Sequence, residues 1–422
     1  MKKIALHWRI LIALALALIV GIIVRQLPAG AEGTFVSAFE FVGKMFLQAL
    51  RMLIVPLIVS SIINGVSGIG AGEDVGRLGF KTLSYYVVTT LFATVVGLLM
   101  VNLISPGTSN GMPVGEQIGL SEGSADVVAK IGGQDATRLV DIFLRMVPTN
   151  IVAAAANGEM LGLIVFSLLF GLAMTRLKGR HIEMLSGFWH AIFYVMMLLT
   201  EWIMRFAPIG VFALVAKVVI LTGLSALQPL ISLLVTVLLA LGIHFFVVLP
   251  LLLKFVGGIN PKDHYKGMAP ALLTAFSTSS SSATLPITME CLEKRAGLSN
   301  RMTSFVIPLG ATVNMDGTAL YESIVAMFIA QAYGIDLSIT TQFTVVLLAL
   351  LTSIGVAGIP SASLVAIVII LEAVGLPIEG VGLVLGIDRI LDMCRTAVNV
   401  FSDTCGAVII GRTEGESPYT TP

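Results

Sequence analysis

Apolar stretches of spanning length recur along the chain at about 10–28, 38–67, 82–105, 145–174, 187–222 and 226–253, after which the pattern becomes irregular. About twenty apolar residues cross a bilayer core as a helix, so each stretch reads as a membrane span, and those longer than twenty predict tilt. Basic residues gather at alternate ends: Lys2, Lys3 and Arg9, then Arg77 and Lys81, then Arg176, Lys178 and Arg180, then Lys254, Lys262 and Lys266. Those ends are predicted to be cytoplasmic. The loop from about 106 to 140, whose only basic residues are Lys130 and Arg138, then lies outside. The N-terminal basic start, apolar run and AGA are also compatible with a secretory signal. The long apolar segments that follow, and an interfacial anchor of His7, Trp8 and Arg9, favour a retained first span.

Beyond Lys266 two apolar regions are broken in the middle by small residues and proline: APALLTAFSTSSSSATLPITM and LLTSIGVAGIPSASLVAIVIILEAVGLP. Neither half of either region is long enough to cross. Re-entrant hairpins of helix, break and helix fit better, because non-helical backbone is tolerated at depth only where it is buried or lines a cavity. Tight packing of small residues explains the serines and glycines but not Pro286 and Pro360. The first hairpin is expected to enter from the cytoplasm, since Lys294, Arg295 and Arg301 follow it, and the second from outside. Two broken segments at matching places in successive repeats point to a transporter site near the bilayer midplane.

Between them lies IPLGATVNMDGTALYESIVAMFIAQAYG. Asn314 and Asp316, two residues apart, would face away from each other on an intact helix. With Gly310 and Gly317 flanking them, either the backbone unwinds and frees carbonyls for a hard cation, or the span kinks around a bonded Asn–Asp pair.

The last apolar segment carries one polar stripe: Asp388, Asp392, Arg395, Asn399 and Asp403. At about 100° per residue these fall at roughly 0, 40, −20, 20 and 60°, on one helical face that rises about 22 Å. A charge at the centre of a bilayer costs about 3 kcal/mol. The stripe therefore faces a protein interior or a watery site that binds something charged.

Composition agrees with the pattern. The 422 residues are 56% hydrophobic and 12% charged, with zero net charge. So few charges cannot cover a soluble domain of this size. A neutral chain gives no electrostatic case for nucleic acid. Cys291, Cys394 and Cys405 lack metal spacing and read as packing residues, and the five histidines are scattered with no HExxH.

The runs SSSSATLP, NMDGTALY, AGIP and DMCRTAVNVFSD, in this order, resemble the sodium-coupled glutamate/aspartate transporter family over essentially the whole chain. That family also holds neutral amino-acid and dicarboxylate carriers. The resemblance implies an all-α integral membrane fold of eight transmembrane helices plus two re-entrant helical hairpins, built from inverted repeats. It further implies a homotrimer in the cell (inner) membrane, cytoplasmic termini and an elevator motion. Residues 1–81 and 106–225 would form the scaffold, 82–105 and 226–422 the moving transport domain. The expected activity is secondary active symport of L-aspartate or L-glutamate with sodium, without enzyme chemistry or organic cofactor.

Carried over residue by residue, the resemblance puts the substrate ammonium on Asp392 and its side-chain carboxylate on Arg395. An ammonium wants a carboxylate, and a planar guanidinium suits a carboxylate's two oxygens. Asn399 and Thr318, with backbone at Ser279, Ser281 and Ile359 on the hairpin tips, match positions that hold the main-chain carboxylate. Ser363 and Thr396 match further substrate contacts, and Asp388 with Tyr321 match partners that orient the arginine. About three Na⁺ are implied, in three sets. One resembles Gly310, Asn314, Asn399 and Asp403. Another is Thr312, Met315, Ser353, Ile354 and Val356, and the third Tyr86, Thr89, Thr90, Asn314 and Asp316.

Two departures bear on mechanism. Archaeal members carry an arginine where this chain has Ser279, and eukaryotic members carry one where Met393 stands; this chain has neither. Arg389, three residues before Asp392, could substitute as an i,i+3 partner or could instead snorkel to the interface. Glu322 matches the glutamate of proton-moving eukaryotic carriers, where archaeal ones have glutamine. A carboxyl in a desolvated span favours its protonated form and could shuttle a proton, or could be a hydrogen-bonded structural acid.

Other classes fit less well. A channel needs a continuous polar lining, whereas these polar residues converge on one site. An intramembrane serine hydrolase would use the serine run as nucleophile, but no GxSxG elbow accompanies it. Among the family's cargoes, neutral-substrate relatives lack the arginine that Arg395 supplies. A C4-dicarboxylate would leave Asp392 unpaired beside an anion.

Overall fold

The computed structural model describes residues 6–27, 31–67, 73–109, 111–115, 144, 147–157, 160–223, 227–353 and 363–419. The expected outer loop lies largely outside them, as do Ile354, Val356, Ile359 and Pro360 of the second hairpin. Among the described residues the fold is all-helical apart from one short pair of strands, β1 (Thr108–Ser109) and β2 (Met112–Pro113), joined antiparallel, with Gly111 between them in the left-handed region.

Helices α1 (Leu6–Arg25), α2 (Ala31–Ser67) and α3 (Glu73–Ile104) follow the first three apolar stretches. With 37 residues α2 is about 55 Å long, well beyond a bilayer core, so it can cross only at a tilt. The fourth stretch is two helices, α4 (Ile151–Asn157) and α5 (Met160–Met174).

The fifth stretch differs from the expectation of one span over 187–222. It starts earlier, as α6 (Arg180–Arg205), and breaks before α7 (Ala207–Thr222). The reason is Pro208, which sits in the first turn of α7, where its missing N–H costs nothing. The sixth runs as α8 (Leu227–Ile243), a π-helical turn at His244–Val248 and α9 (Leu249–Phe255).

The first broken region is a helical hairpin. Asn260 caps α10 (Pro261–Thr278), and Ser280 caps α11 (Ser281–Cys291) by accepting from the Ala283 N–H at 3.2 Å. The two helices pack against each other and meet at Ser279, which adopts a left-handed backbone at φ 51.

The next span is interrupted as its glycines predict. Helix α12 (Asn300–Val313) stops at Asn314, whose backbone is extended, and α13 (Asp316–Ala332) starts two residues later. Around the second broken region run α14 (Ile339–Ser353) and α15 (Ser363–Val374), which also pack together. The chain closes with α16 (Val381–Thr413).

Position in the core follows from composition. Helix α13 carries apolar or small residues on every side apart from Asp316, Tyr321, Glu322 and Gln331, and all of its residues but Gln331 are buried, so it sits at the centre of its neighbours. Helices α3, α14, α15 and α16 pack around it. Helices α1, α2, α5, α6 and α7 pack mainly on one another, and α6 leaves Met184, Phe188, Tyr194, Leu198 and Trp202 exposed. After α16 the tail folds back, with Glu414 accepting from Arg77 and Lys81 and Glu416 from Ser299. The Lys81 hydrogen bond holds the Glu414 carboxyl below the usual carboxylate range.

Candidate functional site

The stripe on α16 is entirely buried: Asp388, Asp392, Arg395, Asn399 and Asp403 all face the interior. Its first half is a cluster of charges. Arg395, 1% exposed, donates through Nη2 to Asp388 Oδ1 at 2.9 Å and to Asp392 Oδ1 at 3.0 Å. Its guanidinium lies 3.8 Å from the centre of the Tyr321 ring, a cation–π contact from α13. Nη1 and Nε of Arg395 have no protein partner. A buried donor left unpaired costs about 1–3 kcal/mol, and more when charged, so two free donors on one buried guanidinium point to an acceptor supplied from outside.

Arg389 is buried as well, with Nη1 at 3.3 Å from Asp392 Oδ2. It pairs across i,i+3 rather than reaching out to the interface.

The second half of the stripe meets the break between α12 and α13. Asn399 Oδ1 accepts from the Gly317 N–H at 2.8 Å, and its Nδ2 donates to Thr318 Oγ1 at 3.1 Å. Glycine is required there, because a Cβ at 317 would lie 2.9 Å from the Arg395 carbonyl oxygen. Asn314 Nδ2 donates to Asp403 Oδ1 at 2.9 Å and to Ser402 Oγ at 3.1 Å. Gly310 lets Asp403 and Tyr86 approach α12, since a Cβ would overlap both the carboxylate and the hydroxyl.

Asp316 accepts from Thr90 Oγ1 at 2.7 Å, from Ser402 Oγ at 2.6 Å and from His244 Nε2 at 3.0 Å. Thr89 Oγ1 lies 3.5 Å from Asn314 Oδ1. The side chains of the two sets expected to hold sodium and built on Asn314 thus sit around one locus where α3, α12, α13 and α16 converge.

The set built on Thr312, Met315 and Ser353 is less complete. Thr312 and Ser353 use their hydroxyls on their own helices, and Ile354 and Val356 lie outside the described residues. Ser353, Tyr86 and Thr90 also border an apolar cavity of about 200 Å³.

Among the remaining predicted residues, Thr396 Oγ1 donates to the Asp392 carbonyl at 2.8 Å. Ser279, Ser281 and Ser363 are buried, and Ser279 Oγ and Ser363 Oγ have no partner. Glu322 is buried in α13, where Oε2 accepts from Thr352 Oγ1 at 2.9 Å while Oε1 has no partner. Unpaired buried polar atoms therefore fall mostly on residues already singled out by sequence.

Two participants were not singled out by sequence. Ser402 lies within the run DMCRTAVNVFSD and falls at about −40° on the same wheel, beside the stripe's face. His244 is the one ionisable residue in LLALGIHFFVVLP, and an intramembrane ionisable group is a functional candidate by default.

A model of the sodium:dicarboxylate symporter family matches residues 6–413. The chain is 39% identical to a proton/sodium-glutamate symport protein of Geobacillus stearothermophilus, over 99% of this chain and 96% of that one. It is 36% identical to a proton/glutamate-aspartate symporter of Escherichia coli, over 98% and 93%. It is also 36% identical to excitatory amino acid transporter 3 of mouse, over 96% and 85%.

Proposed function

The chain belongs to the sodium:dicarboxylate symporter family, and from that premise we propose that it is a multi-pass membrane carrier of acidic amino acids, driven by sodium. The observation that carries this reading is Arg395, a buried cation with two unused donors, next to the carboxylate of Asp392. An acidic amino acid satisfies both: its side-chain carboxylate takes the free edge of the guanidinium, and its ammonium takes Asp392. A neutral amino acid leaves the arginine unanswered, and a dicarboxylate leaves Asp392 facing an anion. The relatives named as glutamate and glutamate-aspartate symporters support the same choice.

The main-chain carboxylate would sit between Asn399, Thr318 and the hairpin tips at Ser279, Ser281 and Ile359, with Ser363 and Thr396 beside it. The oxygens of Asn314, Asp316, Asn399 and Asp403, with Tyr86, Thr89, Thr90 and the Gly310 carbonyl, suit a hard cation. The two sodium sets they form are supported by their convergence on one locus. A third would use Thr312, Met315, Ser353, Ile354 and Val356. Glu322 supplies a proton site: its spare oxygen is buried, and the bacterial relatives are named for proton coupling.

For transport we propose eight spans and two hairpins in inverted repeats. Residues 1–81 and 106–225 would be a fixed scaffold and 82–105 and 226–422 a domain that moves as an elevator, in a homotrimer of the inner membrane with cytoplasmic termini. Packing of α3 on α13 and α14, away from its sequence neighbour α2, supports that division. Uptake of labelled L-aspartate into proteoliposomes should require an inward Na⁺ gradient. Uptake that ignores the gradient refutes the symport reading.

A further inference from the structure

Arg389 is the one charged residue of this cluster to which the transport reading gives no task. It is 7% exposed, although the adjacent Ile390 projects outward. Its Nη1 reaches Asp392 Oδ2 at 3.3 Å, while Arg395 Nη2 takes the other oxygen, Oδ1, at 3.0 Å. Asp392 is thereby held between two guanidinium groups, and Arg389 Nε has no partner.

A guanidinium keeps its charge throughout the physiological range. Asp388, Arg389, Asp392 and Arg395 therefore sum to zero, and without Arg389 to one negative charge. An acidic amino acid arrives with a net charge of minus one, its amide analogue with none. The Arg389 contact is also longer than the 2.7–2.9 Å usual for a charge-assisted bond, so it can give way to an ammonium.

We propose that Arg389 is a second cation of the substrate site, held on Asp392 by i,i+3 spacing, that together with Arg395 sets the preference for acidic over neutral amino acids. The proposal rests on the transport reading above. Arg389 shares Asp392 with the ammonium of every amino acid, so its loss alters that contact equally for all of them. What differs between substrates is the side-chain carboxylate, which meets a site one charge more negative. In a buried, low-dielectric site that repulsion acts over several ångströms.

The test uses the full chain in lipid nanodiscs at saturating Na⁺, with calorimetric L-aspartate affinity and competition by L-asparagine. Arg389→Gln should weaken aspartate about tenfold or more and asparagine less than about threefold. Arg389→Lys, which keeps the charge, should stay within about threefold of wild type for both. Arg389→Met, of similar length and uncharged, serves the same comparison if the glutamine variant does not fold. Unchanged aspartate affinity in the uncharged variant overturns the proposal, as does equal loss for both ligands, or a lysine variant as damaged as the glutamine one. A wild type that binds no aspartate overturns the transport reading itself, so the two failures are distinguishable.

Discussion

The two ends of the α16 stripe treat their carboxylates in opposite ways. Toward Asp388 and Asp392 the partners are arginines, and one arginine keeps two donors free. Toward Asp403, and across to Asp316, the partners among the described residues are an amide, two hydroxyls and an imidazole, none of them arginine or lysine. The first end already holds its cations and can accept an anion. The second presents carboxylate, amide and hydroxyl oxygens, a donor set that suits a hard cation. On the proposed reading, one helical face about 22 Å long, with Asp316 across from it, would serve two different ligands, and either ligand bound would improve the field for the other.

Arg395→Cys should have the largest effect on the first end. It leaves Asp388 and Asp392 without their shared cation, and losing one partner of a buried pair costs about 3–5 kcal/mol. Aspartate affinity should fall at least about a hundredfold, with preference moving toward small neutral amino acids. Equal aspartate affinity in that variant would refute the assignment.

The second end is probed by Asp316→Asn, which keeps shape and removes the charge. The Na⁺ concentration for half-maximal uptake should rise about tenfold or more, with aspartate affinity recovering once Na⁺ saturates. A deficit that persists at saturating Na⁺ would mean that the two ends are not separate.

Glu322 lies between them in sequence, on α13, four residues after Thr318. If it moves the proton, wild-type uptake responds to the pH gradient and Glu322→Gln loses that response while still requiring Na⁺. Identical pH profiles would leave it a structural acid bonded to Thr352.

The smallest effect belongs to the hairpin tip. Ser279 stands at φ 51, so Ser279→Gly relieves about 1 kcal/mol of backbone strain and gives back a similar amount through unfolded-state entropy. Stability should stay within about 0.5 kcal/mol by reversible unfolding, whereas the β-branched Ser279→Val should lose more than about 1 kcal/mol.

Much of this was legible in the sequence because membrane chemistry writes in large letters. Apolar runs located most helices, and the stripe's single face, the break at Asn314 and the helix break at Ser279 followed from residue type and spacing. What escaped has physical reasons. Pro208 splits the run just after Glu201 and Arg205, two charges that the long apolar stretches on either side mask when the run is read as one span. His244 is brought to Asp316 from a helix 72 residues away, a distance that no local periodicity encodes. Whether Arg389 faced Asp392 or the bilayer depended on a side-chain direction, and the i,i+3 spacing permits both.

Linkage gives the most direct test of two sites on one face. If the ends are coupled, Na⁺ must tighten aspartate binding by the same factor by which aspartate tightens Na⁺. Aspartate affinity of the purified protein, measured by calorimetry across a range of Na⁺ at fixed ionic strength, should climb steeply, with a log–log slope of about two to three. A slope of zero would contradict the account, because aspartate would then bind a site that does not sense its cations.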